Sequence, residues 1–147
     1  MARFLARALI PGIAALLACG GGDDDPVGPQ YPSVAGSYAI AGTFDDLPGA
    51  TVSGPLTLVQ ADRSSGALTG SVTLTLRTAT GATSTASGLF DATVTTTGNV
   101  SFSVGAPSGG SSSWTFTGPV TTSGVAGGRH TLRGVCGACP GSWTATR

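Results

Sequence analysis

Cys136-Gly137-Ala138-Cys139 is the stretch of the chain that carries the most chemistry. Two thiols at that spacing serve a structural disulfide across a turn, thiol–disulfide exchange, or half of a zinc site, and they also exist as free thiols. Exchange of the thioredoxin kind needs the pair at a helix start beside a βαβ pattern, and the surrounding sequence has neither. A zinc site needs two further ligands, and the chain has one imidazole, His130. Lying between Arg129 and Thr131 with no second histidine to share a metal, His130 reads as structural or solvated. Asp45-Asp46 stands directly before Leu47-Pro48-Gly49 and reads as turn chemistry. Adjacent strand residues point to opposite faces, so the two carboxylates would not oppose each other around a substrate. The Gly-rich run from Gly105 to Ser113 lacks the Gly-Lys-Ser/Thr ending that cradles phosphate, and no Gly-x-Ser-x-Gly elbow occurs. The expectation is a protein with no catalytic residue, no metal and no cofactor, hence not an enzyme.

The third cysteine, Cys19, has a different setting. Arg3 and Arg7 form a basic start, and Ala8 to Ala18 form an apolar run interrupted by Pro11-Gly12. These are the parts of a secretory signal. The run is too short to cross a bilayer, which takes roughly 20 apolar residues. It ends in Leu16-Leu17-Ala18-Cys19, which resembles the lipobox of bacterial lipoproteins. An ordinary cleaved signal calls for small residues of the A-x-A type, and Leu16 is bulky where the first should stand. The resemblance implies cleavage after Ala18 and acylation of Cys19, which would make the membrane a partner through N-terminal acyl chains. Each buried methylene contributes about 0.8 kcal/mol, so two or more chains give a lasting anchor where one does not. Gly20 stands where that family commonly places Asp for inner-membrane retention, so the resemblance also implies the outer membrane. Past an export signal the compartment is oxidising, which favours the disulfide reading of Cys136 and Cys139.

Residues 1–18 are thus expected to be a signal peptide and 19–32 a tether, with Gly20 to Gly22, Asp23 to Asp25, and Pro26, Pro29 and Pro32 spaced against any helix or strand. The Asp triplet reads as a solvated spacer, because hard cations need converging oxygens on a formed loop. What remains, 33–147, is the size of one domain. The chain carries seven Arg and seven Asp with no Lys or Glu, so it has no basic run and no electrostatic footprint for nucleic acid.

Within 33–147 the hydrophobic period is two. Leu68, Gly70, Val72, Leu74 and Leu76 share one parity, while Thr69, Ser71, Thr73, Thr75 and Arg77 share the other. Similar combs recur through the domain, with Thr and Ser on the hydrated side. Turn signals at Pro48-Gly49, Ser64 to Gly66, Thr80-Gly81, Gly98-Asn99, Pro107 to Gly110 and Ser123-Gly124 separate about eight strands: 36–44, 50–60, 66–78, 83–96, 99–105, 111–120, 124–133 and 141–147. Gly98-Asn99 reads as a two-residue hairpin turn. No helical stretch intervenes. The predicted fold class is therefore all-β: an antiparallel up-and-down meander closed, or nearly closed, into a barrel. A two-sheet sandwich is the alternative, since strand pattern does not report closure. A membrane-spanning barrel would also alternate, but it calls for aromatic girdles and a polar lumen.

Gly36-Ser37-Tyr38 on the first strand resembles the Gly-x-Trp signature of lipocalins, with Tyr in place of Trp, and Arg147 stands where a lipocalin Arg packs across that aromatic. In a closed meander the first and last strands are neighbours, so a guanidinium there can lie over the ring. The resemblance implies a lipocalin-like barrel carrying a small apolar ligand, with Tyr38, Phe102, Trp114, Phe116 and Trp143 as candidate lining residues. Read without it, Tyr38, Trp114 and Trp143 are core filling. Two functions follow: an anchored carrier of a small apolar ligand, or an anchored envelope-structural or protein-interaction module with a filled core. An internal cavity of roughly 300 Å³ or more would favour the first.

Overall fold

The computed structural model describes residues 28–105, 112–134 and 136–147. The signal peptide, Cys19 and most of the expected tether lie outside the described residues, as does the Pro107–Gly110 turn.

Eight strands follow in chain order: β1 (Gly36–Phe44), β2 (Thr51–Val59), β3 (Ala67–Arg77), β4 (Thr83–Val94), β5 (Asn99–Gly105), β6 (Ser113–Thr121), β7 (Gly124–Arg133) and β8 (Ala138–Thr146). Each pairs antiparallel with the next, and β8 returns to β1 through the register Ala39↔Thr146 to Phe44↔Gly141. The sheet is a closed barrel in the order β1 to β8, and the sandwich alternative is excluded. Closure leaves no sheet edge between first and last strand, which removes the exposed ladder that invites aggregation.

The alternation places the apolar comb inside. Leu68, Val72 and Leu74 on β3 are buried while Thr69, Ser71 and Thr73 face out, and the same holds around the barrel. Hydroxyls therefore meet water, and large exposed apolar side chains among the described residues are confined to Leu47, Val59 and Leu89. This polarity is the reverse of a lipid-facing barrel, whose outer band must be apolar. Strand bends assist closure: the β6–β7 register shifts between Thr117 and Val120, and the β7–β8 register between Val125 and Gly128. Such irregularities curl a sheet that would otherwise stay open.

Three local features differ from the sequence reading. The β4–β5 connection is not a two-residue Gly98-Asn99 turn. Thr95 N–H donates to Asn99 O at 2.9 Å and Gly98 N–H to Thr95 O at 2.9 Å, so the loop is Thr96-Thr97-Gly98 with Gly98 at φ +83°. A three-residue hairpin loop needs its positive-φ residue last, which moves the glycine one place from where a primed two-residue turn would use it. Thr78 to Ala82 repeats the device, with Gly81 at φ +85°. Second, β8 begins at Ala138 and not at residue 141, because Cys139 and Pro140 register with Leu132 and Thr131. Third, residues 31 and 32, expected in the tether, belong to the barrel's wrapping. Tyr31 N–H donates to Arg63 O at 2.9 Å, and Arg63 Nε–H returns a bond to Tyr31 O at 2.7 Å. Asp62 holds that loop in shape by accepting from Ser64 N–H at 2.8 Å and from Ser64 Oγ–H at 2.6 Å. Those bonds draw its carboxyl below the ordinary carboxylate value.

Candidate functional site

The barrel interior is where a ligand would sit, and it is occupied by the protein's own rings. Phe90 stacks on Phe102 at 4.6 Å between centroids, and Phe102 stacks on Phe116 at 4.9 Å. Trp143 stands edge-on to both Phe102 and Phe116, at 5.8 and 5.3 Å. Trp114 lies 5.4 Å from Phe116 and 5.9 Å from Phe44, which completes the column toward the β1–β2 loop end. Offset stacks and edge contacts at these separations are the favoured aromatic geometries.

Four of the five candidate lining residues, Phe102, Trp114, Phe116 and Trp143, are thus brought together, and they pack against one another. Tyr38 stands apart toward the opposite end. All five are 6% exposed or less. The void bounded by Val34, Tyr38, Leu56, Val100, Val125 and Trp143 measures about 10 Å³. That is the room of a single water at most.

Every ring heteroatom in this interior has a partner. Trp143 Nε1–H donates to Thr117 O at 2.8 Å. Tyr38 O–H donates to Val34 O at 2.6 Å and accepts from Arg147 Nε at 3.2 Å and Nη2 at 3.0 Å. Arg147 Nη2 also donates to Ala35 O at 3.0 Å, and the guanidinium carbon lies 5.3 Å from the Tyr38 ring centre. The contact that the resemblance implied between Arg147 and Tyr38 is therefore present in space. It joins the last residue of the chain to the segment entering β1, and Val34, only 1% exposed, closes that end of the barrel.

Sequence reasoning left His130 as structural or solvated; the structure makes it structural, and its polar partners in the core are the main feature the sequence reading did not give. The ring is 1% exposed. Trp114 Nε1–H can only donate, so Nδ1 of His130, 3.1 Å away, must accept. The ring proton therefore sits on Nε2, which donates to Thr43 O at 3.0 Å. To reach Thr43 on β1 the imidazole crosses β8 at Gly141, where a Cβ would come within 2.5 Å of Nε2. Phe44 covers the ring edge-on at 4.7 Å. Desolvation pushes the imidazole pKa below its ordinary 6.5; the bond to Thr43 O opposes that, Arg129 adds to it, and Asp45 opposes it. The signal that would have found this residue is parity, since His130 alternates in step with Leu132 on the inward side of β7.

Outside the barrel, Arg129 and Asp45 form an ion pair over the end of β1. The Cys136 and Cys139 sulfurs lie within bonding distance as a disulfide across the β7–β8 turn, with Cα atoms 6.0 Å apart. Cys139 is buried against the core while Cys136 is exposed. A shallow depression of about 540 Å³ on the outer wall is bordered by Ala41, Thr43, Thr51, Ser53, Ser142 and Thr144, and its lining is mostly apolar. Among the described residues no group of three or more His, Cys, Asp or Glu is placed to hold a metal. No protein family, curated protein or solved structure matches the chain.

Proposed function

We propose that the chain is a lipid-anchored envelope protein whose barrel is a filled, rigid scaffold acting through its outer wall and loops, as an interaction or envelope-structural module with no ligand inside. The observation that carries this reading is the interior itself: stacked rings and a void of about 10 Å³ where a carrier would need a cavity. A non-catalytic role is part of the reading, because the one imidazole is buried with both nitrogens engaged and the Asp45 carboxylate is paired with Arg129.

The anchor reading rests on the Leu16-Leu17-Ala18-Cys19 resemblance, and Gly20 favours the outer membrane. The chain leading back to Cys19 leaves the barrel at the Tyr31 end, beside the 60–66 loop. Loops 45–50, 78–82 and 134–137 lie at the other end, which the anchor would hold away from the lipid. Native mass spectrometry of mature protein from its own host tests the filled-core reading: the expected spectrum shows no non-covalent lipid, and a stoichiometric adduct would restore the carrier. Cys19→Ala tests the anchor, and continued incorporation of labelled fatty acid would refute it.

A further inference from the structure

We propose that His130 is an acid-sensitive latch that holds the loop end of β1 against β6 and β8 and lets it go when the imidazole takes up a second proton. The geometry leaves that proton no place. Nδ1 is the free basic atom of the ring, and it already accepts from Trp114 Nε1–H at 3.1 Å. A protonated Nδ1 would point one donor at another, in a site 1% exposed. Neither neighbour can adapt, since an indole nitrogen cannot accept and Nε2 must go on donating to Thr43 O.

Among the described residues the surroundings supply no internal counter-charge. Trp114 and Phe116 face the ring from β6, Phe44 from β1 and Gly141 from β8. The charged groups it feels are Arg129 on its own strand and Asp45 beyond Phe44, and these are spent on each other at the surface. Protonation is relieved if the ring swings outward, and what bars its way is the end of β1: Thr43, Phe44, and Asp45, whose N–H donates to Pro140 O at 2.9 Å. Releasing those three residues frees the Asp45–Ala50 loop and its half-exposed Leu47.

The pH window follows from the direction of the shift. The open state binds the proton at the ordinary value of 6.5 and the closed state only below it. The proton therefore takes nothing from the closed state above pH 6.5, where the ratio of open to closed molecules is at its minimum. Below it, the ratio of open to closed molecules rises about tenfold per pH unit until the closed form's own value is reached. The device stands whether or not the anchored-module reading does.

The test is NMR of the mature full chain from pH 7.5 to 4.5, following the imidazole nitrogens, the Trp114 indole N–H and backbone amide exchange corrected for its intrinsic pH dependence. The expected result is an Nε2–H tautomer at pH 7.5, an imidazole titrating below 6.5, and protection at Asp45 and the Trp114 indole falling tenfold per unit while Val72 and Leu74 on β3 keep theirs. His130→Gln, which does not titrate, should lose the response. An imidazole titrating at or above 6.5, an unchanged response in His130→Gln, or an equal loss of protection on β3 would each overturn the latch. Should His130→Gln fail to fold, the wild-type imidazole and amides decide alone.

Discussion

Phe102→Ala is the perturbation that asks most of a filled barrel. Phe102 is 3% exposed, stacked on Phe90 and Phe116 and edge-on to Trp143, so three rings depend on it for position. Truncation removes roughly 100 Å³ of side chain, and at about 24 cal/mol per Å³ of residual cavity the hole alone costs about 2.4 kcal/mol if nothing collapses. The lost transfer of the ring from water adds to this, which places the total at about 3 to 5 kcal/mol. For a domain of this size that lowers Tm by roughly 10 to 25 °C. Urea unfolding followed by far-UV circular dichroism measures the loss. A second readout tests the empty space: benzene should raise Tm of the variant, which now has a dry apolar cavity, and leave the wild type unmoved. Since total stability is about 5 to 15 kcal/mol, Phe102→Leu serves as a milder member of the series. A loss below about 1 kcal/mol, or benzene raising the wild type as much as the variant, would refute the claim that these rings fill the interior.

Gly128→Ala should destabilise by about 1 to 3 kcal/mol in chemical denaturation, because a Cβ there would overlap the Trp143 indole whose N–H is committed to Thr117 O. Arg147→Ala should cost about 1 to 2 kcal/mol, discounted for the partly exposed guanidinium, and Arg147→Lys should recover less than half. A double-mutant cycle with Tyr38→Phe should return a coupling above about 0.5 kcal/mol, and strict additivity would contradict the contact. Reduction of the Cys136–Cys139 bridge should add the mass of two hydrogens and lower stability by only about 2 kcal/mol, the value expected for so short a loop; an unchanged mass would mean free thiols.

The strands were legible because their chemistry repeats at every level. Leu68 to Leu76 alternate with Thr69 to Thr75, and the same residues that like a pleated backbone also separate water from core. Closure was legible more weakly: an apolar face with no helix to cover it must be buried by something, and a barrel is one answer. What escaped was set by contacts distant in sequence. Pro140 reads locally as a strand breaker, yet its register with Thr131 keeps β8 running from Ala138. Tyr31 sits among prolines and glycines, and nothing nearby announces that Arg63 will hold it from the far side of two strands. Gly98 was recognised as a turn residue, but the choice between two- and three-residue loops depended on Thr95 pairing with Asn99. The five candidate lining residues were correctly placed inward by parity, and parity could not say whether they faced a ligand or one another.

The polar tips of the core rings explain why this interior is filled with Trp, His and Tyr and not with aliphatic side chains alone. Trp114 on β6 reaches His130 on β7, which crosses β8 to reach Thr43 on β1. Trp143 on β8 reaches back over β7 to Thr117 on β6. At the other end Tyr38 and Arg147 gather the entering segment and the final residue onto one hydroxyl. The ladder ties each strand only to its neighbours, whereas the His130–Thr43 and Trp143–Thr117 bonds tie strands that do not pair, β7 to β1 and β8 to β6, so they resist shear and ovalisation of the barrel where the ladder does not. A carrier gains from a wall that yields to its ligand, while a scaffold gains from one that does not. Leu would have filled the same volume without the ties, and their cost is the desolvation of four polar rings, Trp114, His130, Trp143 and Tyr38, each offset only when its partner is in place. Among these tied groups His130 alone has an ordinary pKa near neutral pH, so it is the tie whose chemistry acid can change.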